Sequence, residues 1–138
     1  MVLALAAELD DINDQFQAAI DALEGTLKTG GPDIAELARR RAALARVASA
    51  RLRMIDQKLC PLLESGPTPQ HAAAARHLRD RIAAIFAASN QHIGDWSSQR
   101  VVADWNGYCA ATRSLASDVK SLLAMERRDI YPLLATAA

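Results

Sequence analysis

Apolar side chains recur every three or four residues along most of this chain, which predicts amphipathic helices and leaves no segment that has to be a strand. Clusters of Gly, Pro, Ser and Thr interrupt the pattern at residues 29–32 and 65–69, and a weaker interruption falls at 94–98. The segments between them predict four helices, over residues 4–28, 33–64, 69–93 and 98–135.

Start signals precede three of these helices. Asp33, with Glu36 three residues later, has the sequence of a capping box. Thr68 is a predicted cap before Pro69, since proline suits the first position of a helix. Ser97 or Ser98 is the predicted cap of the last helix.

Each predicted helix carries an apolar stripe that we expect to face a common core. The stripe includes Leu52 in the second helix, and Ile85, Phe86 and Ile93 in the third. Long helices joined by short turns pack as an antiparallel up-down bundle. The sequence therefore predicts an all-α, four-helix bundle in a single domain spanning residues 1–138.

The end of the second predicted helix is repeated at the end of the fourth. Residues 59–63 read Leu-Cys-Pro-Leu-Leu, and residues 130–134, 71 positions later, read Ile-Tyr-Pro-Leu-Leu. At the same offset Met54 matches Met125. A duplicated helical hairpin, with the second and fourth helices equivalent, explains this repeat.

Composition narrows the classes of function. The 138 residues include 16 basic and 16 acidic side chains, so the formal net charge is zero, whereas nucleic-acid binding needs a concentrated positive surface. No apolar run approaches about 18 residues, and the first residues lack the basic region of a secretion signal. Cys60 and Cys109 do not form a disulfide or metal pattern, and we expect both in the core. We expect a cytoplasmic protein that binds neither nucleic acid nor membrane.

The repeated ending resembles that of the hemerythrin-like (HHE cation-binding) family. Acidic residues precede Leu-Cys-Pro-Leu-Leu and Ile-Tyr-Pro-Leu-Leu here, and in that family both even-numbered helices end in His-x-x-x-Glu followed by Leu-Tyr-Pro or a variant. Trp96, followed by Asp104-Trp105-x-x-Tyr108, resembles bacterial members. The resemblance implies a four-helix bundle that holds a di-iron site.

Transferring the family's ligand positions one by one shows that most ligands are replaced. In the second helix the histidine position is Arg51 and the glutamate position is Ile55, with Asp56 next to it. In the fourth helix the corresponding residues are Leu122 and Glu126. The remaining positions, in the first and third helices, are Leu9, Ala73 and His77. The resemblance therefore implies a degenerate member that has lost its metal site.

Histidine placement also argues against a metal site. His77 and His92 are fifteen residues apart, about 22 Å along a helix at 1.5 Å per residue, so they cannot share a metal within one chain. We predict no cofactor. The alternative is an iron-binding protein that uses an unusual ligand set of Glu126, His77 and Asp56.

Arg51 and Glu126 leave two charges in or beside the predicted inward stripes. A lone buried charge is costly, so two inward side chains should pair. We predict an Arg51–Glu126 ion pair in the position of the lost metal site. The alternative is that both side chains lie at the edge of the stripe and extend outward to solvent.

The favoured function is a non-enzymatic interaction or regulatory module with an unknown protein partner, and a homodimer is one expected assembly. Besides the iron-binding alternative, a phosphotransfer bundle with His71 or His77 as acceptor is a third hypothesis. Trp96 and Trp105 are expected to close the end of the core, with exposure to a partner as the alternative.

Overall fold

The structure is a computed structural model that describes residues 2–137. Every regular element in that range is helical, which confirms the all-α prediction. The α-helices are α1 (Val2–Thr26), α2 (Ile34–Met54), α3 (Cys60–Glu64), α4 (Pro69–Asp95), α5 (Ser98–Ala103), α6 (Trp105–Met125) and α7 (Tyr131–Leu134).

Two π-helical turns, Ile55–Leu59 and Glu126–Ile130, connect α2 to α3 and α6 to α7. Pro61 and Pro132 follow these turns at the same distance. Proline has no N–H, and its ring clashes with the carbonyl four residues earlier, so a wider turn relieves the helix at this point. Since the two turns are 71 residues apart, the repeat seen in the sequence is present in the backbone.

Polar side chains begin the helices largely as expected. The Asp33 side chain accepts a hydrogen bond from the Glu36 N–H at 3.1 Å. The Glu36 carboxylate does not complete the capping box, because it binds Arg39 and Arg40. Thr68 precedes α4 without capping its backbone, and its hydroxyl instead contacts the His71 ring.

The predicted continuous helix over 98–135 is wrong, because it breaks at Asp104. Ser97 caps the short helix α5 by accepting from the Arg100 N–H at 3.2 Å. Asp104 has φ −139° and ψ 68°, and its carboxylate accepts from the Gly107 N–H at 3.0 Å. An aspartate that bonds the backbone in this way ends one helix and begins the next.

The apolar core has three parts. One lies at the end that contains the π-turns, and its most buried members are Leu9, Leu59, Cys60, Leu63 and Leu78. Another lies at the opposite end and includes Leu27, Leu37, Trp96, Val101 and Tyr108. A smaller one consists of Phe16, Ile20, Val119 and Leu123.

The long helices pack in two pairs, α1 with α2 and α4 with α6, and α1 also contacts α6. The cavity described below lies between α2 and α4, and residues of α1 and α6 also line it. Within residues 2–137, none of the helices combines the length and apolar character needed to cross a bilayer.

Candidate functional site

The interior contains a buried ion pair between Arg51 of α2 and Glu126 of the second π-turn. Nη2 of Arg51 donates to both carboxylate oxygens of Glu126, and Nε donates to Oδ1 of Asn13 at 2.8 Å. Asn13 donates in turn to the Tyr131 hydroxyl, and the guanidinium carbon of Arg51 lies 5.4 Å from the Phe16 ring centroid. Arg51 is 4% exposed and Glu126 0%. Of the two arrangements considered from the sequence, the structure has the inward pair.

This polar network is internally satisfied. Burial raises the pKa of Glu126, while the charge of Arg51 and its hydrogen bonds act in the opposite direction. Burial, reinforced by the negative charge of Glu126, raises the pKa of Tyr131 to about 12, so its hydroxyl stays protonated near neutral pH. Among residues 2–137, every buried side-chain nitrogen and oxygen has a hydrogen-bond partner. No polar atom of this network therefore requires an additional ligand.

The residues at the family's ligand positions do not fit a metal ion. Arg51 and Glu126 bind each other, and the other buried positions, Leu9, Ile55 and Leu122, carry aliphatic side chains with no donor atom. The two positions on α4, Ala73 and His77, are exposed. A di-iron or zinc centre needs convergent imidazole and carboxylate groups, and these seven positions do not supply them.

The alternative ligand set is also dispersed. Asp56 is exposed and bound by Arg79, whereas Glu126 is buried against Arg51. In the part of the chain that the structure describes, no group of three or more His, Cys, Asp or Glu side chains could hold a metal ion. Of the two proposed phosphate acceptors, His77 lies exposed on α4, whereas His71 is buried.

An elongated apolar cavity of about 300 Å³ lies beside the ion pair, between α2 and α4. Along α2 its lining extends from Arg41 to Leu52, about 16 Å at 1.5 Å per residue. Buried apolar side chains of α1 and α6 contribute to its lining, among them Phe16, Ile20, Val119 and Leu122.

Three apolar side chains of the cavity lining are substantially exposed. The exposed fractions are 37% for Leu52, 57% for Phe86 and 60% for Ile93. The prediction that these residues lie in the core is therefore wrong. Because Leu52, Phe86 and Ile93 both line the cavity and are exposed, they form its mouth.

The end of the cavity distant from the ion pair is polar and aromatic. Nε2 of His92 lies 3.1 Å from the Thr112 hydroxyl, and the imidazole stacks on the Tyr108 ring at 5.5 Å between centroids. The guanidinium carbon of Arg41 lies 6.0 Å from the same ring centroid. Burial lowers the pKa of His92, and the nearby charge of Arg41 lowers it further, so this imidazole is largely neutral at pH 7.

Tyr108 is the centre of an aromatic cluster that closes this end of the core. Trp96 meets its ring edge-on at 5.6 Å and Trp105 stacks on it at 5.8 Å. Trp96 is buried and Trp105 half-buried, so the prediction that the tryptophans close the core is confirmed. Cys60 and Cys109 are buried as expected, and burial raises the pKa of both thiols, to about 11 for Cys60.

Sequence reasoning did not find the cavity or the cluster of Arg41, His92 and Thr112. One signal was available. Ala45, Ala48 and Ala116 occupy lining positions among larger apolar residues, and small side chains can allow close helix contact or leave space. Periodicity alone does not distinguish these two outcomes.

Comparison of the chain with protein-family models, with curated proteins and with solved structures gave no match. The class of protein therefore has to be inferred from the fold, the ion pair and the cavity.

Proposed function

We propose that this chain is a non-enzymatic binding module whose site is the cavity between α2 and α4. The observation that carries the proposal is the cavity itself, about 300 Å³ and mainly apolar, with Leu52, Phe86 and Ile93 exposed at its mouth. Small-molecule sites begin at about 300 Å³ and combine apolar walls with a few placed polar groups. Unfilled apolar space costs stability, which a bound apolar molecule would restore.

The polar groups of the cavity support binding rather than catalysis. Thr112 and His92 form the only hydroxyl–imidazole contact among its lining residues, which resembles a nucleophile with its base. An activated nucleophile also needs a third group that orients the base. No carboxylate within residues 2–137 hydrogen-bonds to His92 in the structure. We therefore assign this pair a structural role at the end of the cavity.

The proposed architecture is an antiparallel four-helix bundle. Contacts between packed helices support it. As the residue number rises along one helix, the number of the residue it contacts on the neighbouring helix falls. The pairs with this order are Glu8 with Lys58, Asn13 with Arg51, His71 with Thr136, and His92 with Thr112.

A degenerate hemerythrin-like ancestry is part of the same proposal. Its support is the pair of equivalent π-turns before Pro61 and Pro132, together with the contact between Arg51 and Glu126 at two former ligand positions. The unknown protein partner and the homodimer stay predictions.

Metal analysis tests the iron-binding alternative directly. We expect the purified protein to contain iron well below one ion per chain, because the former ligand positions hold aliphatic groups and a closed ion pair. If the wild type held stoichiometric iron and the Glu126→Gln variant lost it, the iron-binding hypothesis would be favoured over the metal-free binding module.

Binding to the cavity can be measured with the neutral fluorophore 1-aminonaphthalene, whose size is close to what the cavity holds. We expect saturable fluorescence enhancement with one site per chain in the wild type. Ala48→Phe should abolish it, since Ala48 is half-buried in the cavity wall. Ala42→Phe is the matched control, because Ala42 lies exposed on the same helix and outside the cavity. Equal binding by wild type and Ala48→Phe, or no saturable binding by the wild type, would refute the proposal.

A further inference from the structure

The two ends of the cavity differ in electrostatic character. Arg51 lies at one end and Arg41 at the other, ten residues apart on α2 and so about 15 Å along the helix axis. The lining between them includes Leu44 and Ala48 of α2 and apolar side chains of α4 and α6. A ligand in this space would therefore meet apolar walls along its length and a guanidinium at either end.

The charge of Arg51 is already neutralised. Its guanidinium donates to both oxygens of Glu126 and to Asn13, and Glu126 is fully buried beside it. An anionic group arriving at this end would be held close to the Glu126 carboxylate and repelled by it. This end is therefore suited to the uncharged part of a ligand.

The charge of Arg41 is not neutralised by a partner. Among residues 2–137 no carboxylate oxygen lies within 4.0 Å of its guanidinium, which rests near the Tyr108 ring. Glu24 also lines this end of the cavity, but Lys120 binds its carboxylate. Arg41 is half-buried, so water screens its charge less than that of a fully exposed arginine.

The dimensions of the cavity limit the apolar part of the ligand. A volume of about 300 Å³ holds roughly ten non-hydrogen atoms if each group takes about the 30 Å³ of a liquid water molecule. A length of about 16 Å along α2 suits a linear arrangement of these atoms better than a compact one. Straight-chain molecules satisfy both limits.

We propose that the cavity binds a medium-chain aliphatic carboxylate, with its chain along the apolar walls and its carboxylate on the guanidinium of Arg41. This assignment rests on the proposed binding function and adds the ligand class to it. An Arg–carboxylate pair gives charge-assisted hydrogen bonds with two parallel donors. The neutral imidazole of His92 and the Thr112 hydroxyl lie at the same end and are available as further polar contacts.

The test compares decanoate with 1-decanol, which has the same chain and no charge, by isothermal titration calorimetry at pH 7.5. We expect the wild type to bind decanoate at least roughly tenfold more tightly, the usual gain from a charged hydrogen bond. Arg41→Gln should remove this preference without weakening decanol binding, and Arg41→Lys should retain most of it. Arg46→Gln is the matched control, because Arg46 is exposed on α2 and does not line the cavity.

The outcomes separate the two proposals. If neither compound binds the wild type, the binding function itself is refuted. If both bind equally and Arg41→Gln changes neither affinity, the binding function stands and the carboxylate assignment is overturned. Binding of both compounds that survives in Ala48→Phe would place them outside the cavity, which overturns the assignment as well. Thermal unfolding of each variant confirms that it is folded before its affinity is compared.

Discussion

Replacing Glu126 with Ala should lower the free energy of unfolding by about 3–5 kcal/mol, because it leaves the Arg51 guanidinium buried without a counter-charge. In the structure Arg51 is 4% exposed and is held by Asn13 and Phe16 as well as by Glu126. Urea unfolding followed by far-ultraviolet circular dichroism measures the loss. It is a large part of the 5–15 kcal/mol typical of a whole domain.

Two further variants show that burial of the charge is the cause. Glu8→Ala removes the exposed ion pair with Lys58 and should cost less than about 1 kcal/mol. The double variant Arg51→Met with Glu126→Leu should regain most of the loss, because it removes both charges together. Recovery should be incomplete, since the Asn13 side chain then lacks its donor. If Glu126→Ala were as stable as Glu8→Ala, the ion pair of Arg51 with Glu126 would be solvated rather than buried.

Replacing Tyr108 with Ala should cost a similar amount, about 3–5 kcal/mol, as for other large aromatic side chains removed from a core. Tyr108 is 1% exposed, and its ring contacts Trp96, Trp105 and His92. Its loss removes the centre of the aromatic cluster and enlarges the cavity at the end lined by Arg41. The urea unfolding midpoint, measured at unchanged slope, reports the change in stability.

Tyr108→Phe separates the ring from the hydroxyl. We expect it to change stability by less than about 1 kcal/mol, because it keeps the packed ring. The space left in Tyr108→Ala should bind a small aromatic molecule such as phenol, raising the unfolding temperature of that variant more than that of the wild type. Equal stability of the Phe and Ala variants would show that ring packing contributes little.

A structural feature of this protein can be predicted from the sequence when the residues that determine it are close together along the chain. Helix starts at Asp33 and Ser97 are local, because each side chain bonds a backbone N–H three residues away. The sequence predicts the cap at Asp33 and limits the other to Ser97 or Ser98. The break at Asp104 is equally local, but the apolar spacing continues across it. The spacing therefore predicts one helix where the structure has two. The ion pair of Arg51 with Glu126 joins residues 75 positions apart. It was predicted because both residues fall in or beside inward apolar stripes, where two buried charges should pair.

The apolar spacing, the turn residues and the repeat determine by themselves that this chain is helical and that its second and fourth segments end alike. They do so because each reflects the geometry of a single helix or of its ends. Only the tertiary structure decided that Phe86 and Ile93 remain exposed and that Arg41 and Arg51 lie along one cavity. Both outcomes depend on how side chains from several helices fill space together, which no single segment of the sequence determines.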